Sequence, residues 1–310
     1  MTDGVYTSLE ELTRLRHKAQ GFSFLPGQPI HSLLAGPHGS RLRGRGLDFE
    51  ELRHYLPGDD IRSMDWKTTM RLGKPFVRVN NEERDREAII VVDQRLDMFF
   101  GSEVCMKSVT AAEVASLAAW RVLAAGDRPG AVLFDDHDID VVRPDRSKQR
   151  VMEILSALTA KNQALRVSAD AVARPEQLND VLERVARLAK HDCLVVVISD
   201  FHGADEHTKK LMTRIAQHND ALAVIIYDKL ETELPDLGRL VVSDGDLQIE
   251  VNSGDASLRR RFADIFDERL ATVRTVLLQR RIPVLPIHTS LPAAEQVRKL
   301  LNSTGGRQRR

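Results

Sequence analysis

Three aspartates in this sequence stand where carboxylates can do chemistry. Asp93 closes the apolar run Ala88-Ile89-Ile90-Val91-Val92, and Asp97 follows in the loop before Gly101. Asp200 comes directly after Leu194-Val195-Val196-Val197-Ile198 and Ser199. Unbroken apolar runs of this kind read as central strands covered on both faces, and in open α/β sheets ligands bind at the carboxyl ends of such strands. Carboxylates gathered there with hydroxyls and waters suit a hard cation such as Mg2+. The same aspartates serve equally well to cap helices or close turns.

Arg95 stands between Asp93 and Asp97 and changes the chemistry. Three carboxylates brought together in a partly dry site drive a proton onto one of them. A bound cation relieves that repulsion. So does a guanidinium, which stays charged and bridges two carboxylates with its planar fork. Arg95 therefore has two possible places: inside the cluster as an internal counter-ion, or turned to solvent while Asp97 completes a metal site.

No other constellation carries catalysis. The sequence has no G-x-S-x-G elbow, no Walker A loop and no Cys or His cluster with ligand spacing. Gly36 to Ser40 and Gly44 to Gly46 are glycine-rich but follow no buried strand. Arg41, Arg43 and Arg45 form a basic cluster that acidic residues follow at once, the pattern of a solvated loop. His202 reads as a surface residue at the ligand edge, and Cys193 as a small buried one. Two cysteines without motif spacing imply no disulfide framework and fit a reducing compartment.

Placing these groups is the work of regular elements along the chain. Residues 7–20 read as an amphipathic helix, with capping-box spacing at Thr7 and Glu10. From 21 to 87 glycine, proline and charge dominate, and the few apolar residues, among them Phe49, Tyr55 and Trp66, are expected to be buried against the domain C-terminal to them. Strands are expected at 88–92, 131–134, 139–142, 194–198, 221–226 and 283–287, with a hairpin over 239–251. Helices fall at 104–125, 147–160, 175–190, 205–218, 256–281 and from 292 onward. Strands alternating with helices imply a mostly parallel sheet with helices on both faces. The organisation read from this is an N-terminal helix and accessory segment over 1–87, an α/β domain over 88–302 and a disordered tail over 303–310.

Lys plus Arg and Asp plus Glu each number 45, so no sign dominates the long-range field, which argues against a general nucleic-acid or membrane-surface binder. No apolar run reaches the roughly 20 residues that span a bilayer, and the first residues lack the pattern of a signal peptide. The expectation is a cytoplasmic protein with no stable membrane insertion.

The order of elements resembles a von Willebrand factor A domain, with Asp93 to Asp97 in the place of its D-x-S-x-S signature and Ile198-Ser199-Asp200 in the place of its later aspartate strand. That resemblance implies a metal-ion-dependent adhesion site, with Arg95 and Asp97 standing where the signature has serines. Upstream, Arg53, Tyr55, Gly58, Asp59, Arg62, Asp65 and Trp66 reproduce the Arg-x-Tyr-x-x-Gly-Asp-x-x-Arg-x-x-Asp-Trp run of the family called domain of unknown function 58. Glu82-Glu83-Arg84, Met98 to Gly101 and Gly126 to Gly130 also look like that family, and the resemblance spans about residues 30–200.

Members of that family typically accompany MoxR-type AAA+ ATPases. The resemblance therefore implies a protein-binding adaptor or co-chaperone acting with such an ATPase, on an unidentified client, in assembly or activation of protein complexes. The alternative from a different class is a metal-dependent hydrolase or phosphotransferase using Asp93, Asp97 and Asp200, although its aspartate nucleophile would want a second acid where Arg95 stands. Candidate partner-binding residues are Arg95 at the sheet edge and Arg53, Asp59, Arg62, Asp65 and Trp66 upstream, where alternating charges suit a buried or half-buried ion network around the indole.

Overall fold

The computed structural model describes residues 4–20, 48–57, 59–81, 85–167, 173–232, 235–236, 238–243, 248–261 and 282–305. The basic cluster at Arg41, Arg43 and Arg45, the glycine-rich stretches beside it, Glu82-Glu83-Arg84, most of the expected helix over 256–281 and the end of the expected tail lie outside them. In chain order the elements are α1 (Leu9–Arg14), β1 (Asp48–His54), α2 (Trp66–Leu72), β2 (Phe76–Asn81), β3 (Glu87–Asp93), α3 (Lys107–Ala124), β4 (Arg128–Phe134), β5 (Ile139–Val142), α4 (Lys148–Ala164) and α5 (Gln177–Leu188). They continue with β6 (Leu194–Ser199), α6 (Glu206–His218), β7 (Asp220–Tyr227), α7 (Lys229–Thr232), β8 (Arg239–Ser243), β9 (Gln248–Asn252), β10 (Val284–His288) and α8 (Ala293–Gly305). The chain divides into two compact units, one made of Met1–Ile30 with Arg86–Arg310 and the other of His31–Asp85.

The larger unit is built on a six-stranded sheet in the order β10-β7-β6-β3-β4-β5. All neighbours are parallel except β5, which runs antiparallel to β4 at one edge. Alternation along each strand explains the two cores. Ile90 and Val92 of β3, with Leu133, Val196, Ile198, Val224 and Ile226, face α3, α4 and α8. Ile89 and Val91, with Val132, Phe134, Val195, Val197, Ala223 and Ile225, face α5 and α6. Strands buried on both sides are why these segments appear in the sequence as unbroken apolar runs.

α1 belongs to this unit too. Its cap sits one residue later than the sequence spacing suggested. Ser8 accepts from the Glu11 amide, and the Glu11 carboxylate accepts from the Ser8 amide, so Ser8 and Glu11 form the capping box. Thr7 instead is buried, its amide donating to Asn162 Oδ1 at 2.8 Å. The α-helix ends at Arg14 and a 3-10 turn carries it to His17, short of the expected residue 20.

The smaller unit contains structure the sequence did not announce. β1 and β2 pair antiparallel, with a bulge between Phe49 and Glu51. Between them α2 starts at Asp65, whose carboxylate accepts from the Thr68 amide at 2.9 Å, and stops at Gly73 in the left-handed region (φ 65°), where only glycine is at ease. Trp66 is not buried: 59% of it is exposed. It is the first residue of α2, one place after the cap.

Candidate functional site

The sheet brings the sequence's carboxylates to one edge. The register pairs Val92 with Ile198, so the parallel strands β3 and β6 end side by side, and Asp93 meets Ser199 across them. This is the switch point of the strand order, where chains leaving two neighbouring strands turn to opposite faces and leave a crevice. Ser199 Oγ donates to Asp93 Oδ2 at 2.6 Å.

Arg95 lies inside the cluster. Asp93 and Arg95 are both fully buried, and the guanidinium grips the carboxylate through Nη2 (2.7 Å to Oδ2) and Nε (3.1 Å to Oδ1). The Arg95 amide adds a third donor, 3.0 Å from Oδ1. Nη1 and Nη2 also donate to backbone carbonyls of two other loops, Pro175 at 3.0 Å and His202 at 3.2 Å. The guanidinium carbon sits 5.5 Å from the centroid of the Phe134 ring. Gly203 makes this convergence possible: at φ 80° a Cβ on it would come within 2.5 Å of Pro175. Burial pushes the Asp93 carboxyl up, against the pull of the Arg95 charge and its hydrogen bonds. Burial also works against the Arg95 charge, but the carboxylates of Asp93 and Asp200 outweigh it and hold the guanidinium above its ordinary value.

Asp200 is served by a second internal cation. Lys107 Nζ lies 2.8 Å from Asp200 Oδ2 and 2.9 Å from Glu231 Oε1, and Arg95 Nη2 is 3.8 Å from Asp200 Oδ1. Burial lowers the Lys107 pKa, yet Asp200 and Glu231 more than offset it, and the net shift is upward. Asp97 sits on the rim instead, paired with the His202 ring at 2.7 Å. The structure thus joins Asp93, Arg95 and Asp200, and turns Asp97 toward His202.

Asp59 Oδ1 and Oδ2 receive Arg53 Nη2 and Nη1 at 2.7 and 2.9 Å, a fork-on-fork pair, while Asp65 caps α2. Arg62 is exposed, and the expected network does not enclose a buried indole.

A divalent cation does not fit these residues. Both Asp93 oxygens accept from Arg95 and Ser199, and an ammonium holds Asp200. Among the described residues no group of three or more His, Cys, Asp or Glu side chains is placed to hold a metal ion.

Sequence reasoning missed Lys107, Glu231 and the Pro175 carbonyl. A signal for Lys107 existed: it is the first residue of α3, where a cation opposes the helix dipole and acidic residues are preferred. A buried lysine there needs carboxylate partners.

The strand order, the antiparallel edge strand and the site at the switch point define a von Willebrand factor A-like α/β protein. A family model described as protein of unknown function DUF58 matches residues 51–271, and the chain belongs to that family. An uncharacterized protein of Mycobacterium bovis and one of Mycobacterium tuberculosis are each 29% identical to this chain over 270 residues, which is 84% of this chain and 81% of theirs. Among solved structures, the conserved hypothetical protein BatB from Bacteroides thetaiotaomicron matches 71% of this chain and 98% of its own at 9% identity and a TM-score of 0.39. The von Willebrand A domain of SpRpn10 matches 69% and 94% at 14% identity and a TM-score of 0.34. Among the described residues no helix is long and apolar enough to cross a membrane.

Proposed function

We propose that this protein is a cytoplasmic protein-binding adaptor, or co-chaperone, that works with a MoxR-type AAA+ ATPase in the assembly or activation of protein complexes. The observation that carries the reading is the apolar surface of the smaller unit. Leu56, Ile61, Trp66, Met70 and Leu72 are all exposed, Met70 to 83%, within residues 56–72. Trp66 and Met70 are one helical turn apart on α2 and share a face. Single exposed apolar side chains are ordinary, whereas a concentration of large ones marks a surface that meets a partner, and tryptophan is the residue type most enriched at the energetic centre of interfaces. The family resemblance suggests the partner, since members of that family typically accompany such ATPases.

The sheet edge supports the same reading. Asp93 and Asp200 are held by Arg95 and Lys107, and Asp97 is turned away to the His202 ring, so the three acids of the metal-dependent hydrolase or phosphotransferase do not converge and that reading is the weaker alternative. The test is recovery of partners from native lysate with the tagged full chain, with ATP and without nucleotide. A MoxR-type ATPase should be retained, and its yield should fall at least severalfold with the Trp66→Ala, Met70→Ser double variant. Failure to recover any such ATPase in either condition, or undiminished recovery with the variant, overturns the reading. Phosphatase or esterase turnover with Mg2+ that disappears in Asp93→Ala would favour the alternative.

A further inference from the structure

The other end of the larger unit carries a feature that neither the site nor the family accounts for. α1 and the turn that extends it run beside α3 and α4, fixed by the buried Leu12 and by Ser116 Oγ donating to the Leu12 carbonyl at 2.6 Å. Between these helices runs an open groove of about 650 Å3. Leu9, Met152 and Trp120 supply its apolar wall, while Arg14, Arg16 and Lys148 stand at it with the single carboxylate Glu10. Glu10 is already paired with Arg14. Among the described residues neither Arg16 nor Lys148 has a carboxylate partner, and the Arg16 guanidinium lies 5.4 Å from the centroid of the Trp120 ring.

Trp120 is only 3% exposed, so what it offers the groove is a small apolar area. An apolar wall beside cations that have no carboxylate partner among the described residues describes its occupant by complementarity: apolar side chains accompanied by carboxylates. The concentration of positive charge is local, because the chain as a whole has formal net charge zero.

We propose that this groove docks an acidic, amphipathic peptide segment of a partner protein. An apolar side chain of that segment packs on Leu9, Met152 and Trp120, and its carboxylates meet Arg16 and Lys148. Trp120 lies 13 residues along α3 from Lys107, which is about 20 Å at the helical rise. The surface is therefore distinct from the carboxylate site.

The test uses the full chain carrying Trp66→Phe, which leaves Trp120 as the sole indole of the two in the sequence. The probe is a fluorescein-labelled peptide of Glu, Leu and Phe at helical spacing, beside a counterpart with Gln for every Glu. Polarisation should show the acidic peptide binding in the micromolar range and the Gln peptide at least tenfold more weakly. Binding should change the Trp120 emission and weaken as salt is raised. An Arg16→Glu, Lys148→Glu variant should lose at least tenfold in affinity while its thermal melt is unchanged, since both side chains are exposed. Equal binding of the two peptides, full binding by the variant, or no binding below millimolar peptide overturns the proposal.

Discussion

Arg95 Nη2 lies 2.7 Å from Asp93 Oδ2, and neither side chain is exposed at all. Two residues apart in sequence, they form an ion pair inside the protein rather than on it. A buried pair of this kind gains little over a well-packed apolar replacement, because desolvation offsets the attraction, but removing one partner strands a charge. Arg95→Met should therefore destabilise by about 3–5 kcal/mol. Adding Asp93→Asn to that variant should restore part of the loss, giving a coupling energy of at least about 1 kcal/mol in a double-mutant cycle. Urea unfolding of the four proteins measures it. Additive losses would mean that the pair is not coupled.

The same geometry predicts how the site treats metals. With the guanidinium in place a divalent ion meets a like charge and no free oxygen on Asp93. Calorimetry should detect no Mg2+ or Mn2+ binding tighter than about a millimolar in the natural protein. Arg95→Ser removes the cation and restores a hydroxyl beside Asp93, so binding should appear there and vanish again in Arg95→Ser with Asp93→Ala. Tight binding by the natural protein, abolished by Asp93→Ala, would refute this account of the site.

Legibility in the sequence tracks burial. β3 and β6 are covered on both faces, so they stand out as unbroken apolar runs, and Asp93 and Asp200 are visible because they end those runs. Arg95 was legible from its position between two acids. Lys107 and Glu231 were not, since they arrive from a helix start and a one-turn helix whose place at the site depends on the fold. β1 and β2 were missed for a related reason. They form a two-stranded ribbon with a bulge, in sequences such as Asp48-Phe49-Glu50-Glu51 that carry no apolar run. Trp66 was expected to be buried because its segment has few apolar residues of its own, but it opens α2 and is 59% exposed.

Acid should weaken the protein through Asp228. Its carboxylate accepts from Ser102 Oγ and Thr289 Oγ1, each at 2.5 Å, and from the amides of Ser102 and Leu230 at 3.0 and 2.8 Å. Burial pushes its carboxyl up, but these donors outweigh it and hold the group below the ordinary value. A carboxyl with a depressed folded-state pKa contributes stability that is present above its unfolded value, about 3.9, and is lost as pH falls through the folded one. Asp228→Asn should cost about 1–3 kcal/mol at neutral pH, because an amide nitrogen then faces donors. The difference in Tm from the natural protein should shrink steadily below about pH 4. A gap independent of pH would assign the loss to packing.

The N-terminal helix should be a structural part of the larger unit rather than an appendage. Leu12 is fully buried in the core that α3 and α4 share with the sheet, Thr7 is tied to Asn162, and the Tyr6 hydroxyl donates to the Leu165 carbonyl at 2.7 Å. Asn162 in turn donates to Gln94 Oε1 at 3.0 Å, and Gln94 holds the Asp93 and Ser108 carbonyls. A chain of hydrogen bonds thus runs from residue 7 to the backbone of the carboxylate site. Leu12→Ala should cost about 2–5 kcal/mol through the cavity it leaves, lowering Tm by roughly 2–4 °C for each kcal/mol. Asn162→Ala should in addition loosen the site, so hydrogen exchange at the Arg95 and Leu96 amides should quicken in that variant more than in Leu12→Ala. Loss of residues 1–20 with no change in Tm or in exchange at Arg95 would show that the helix is dispensable.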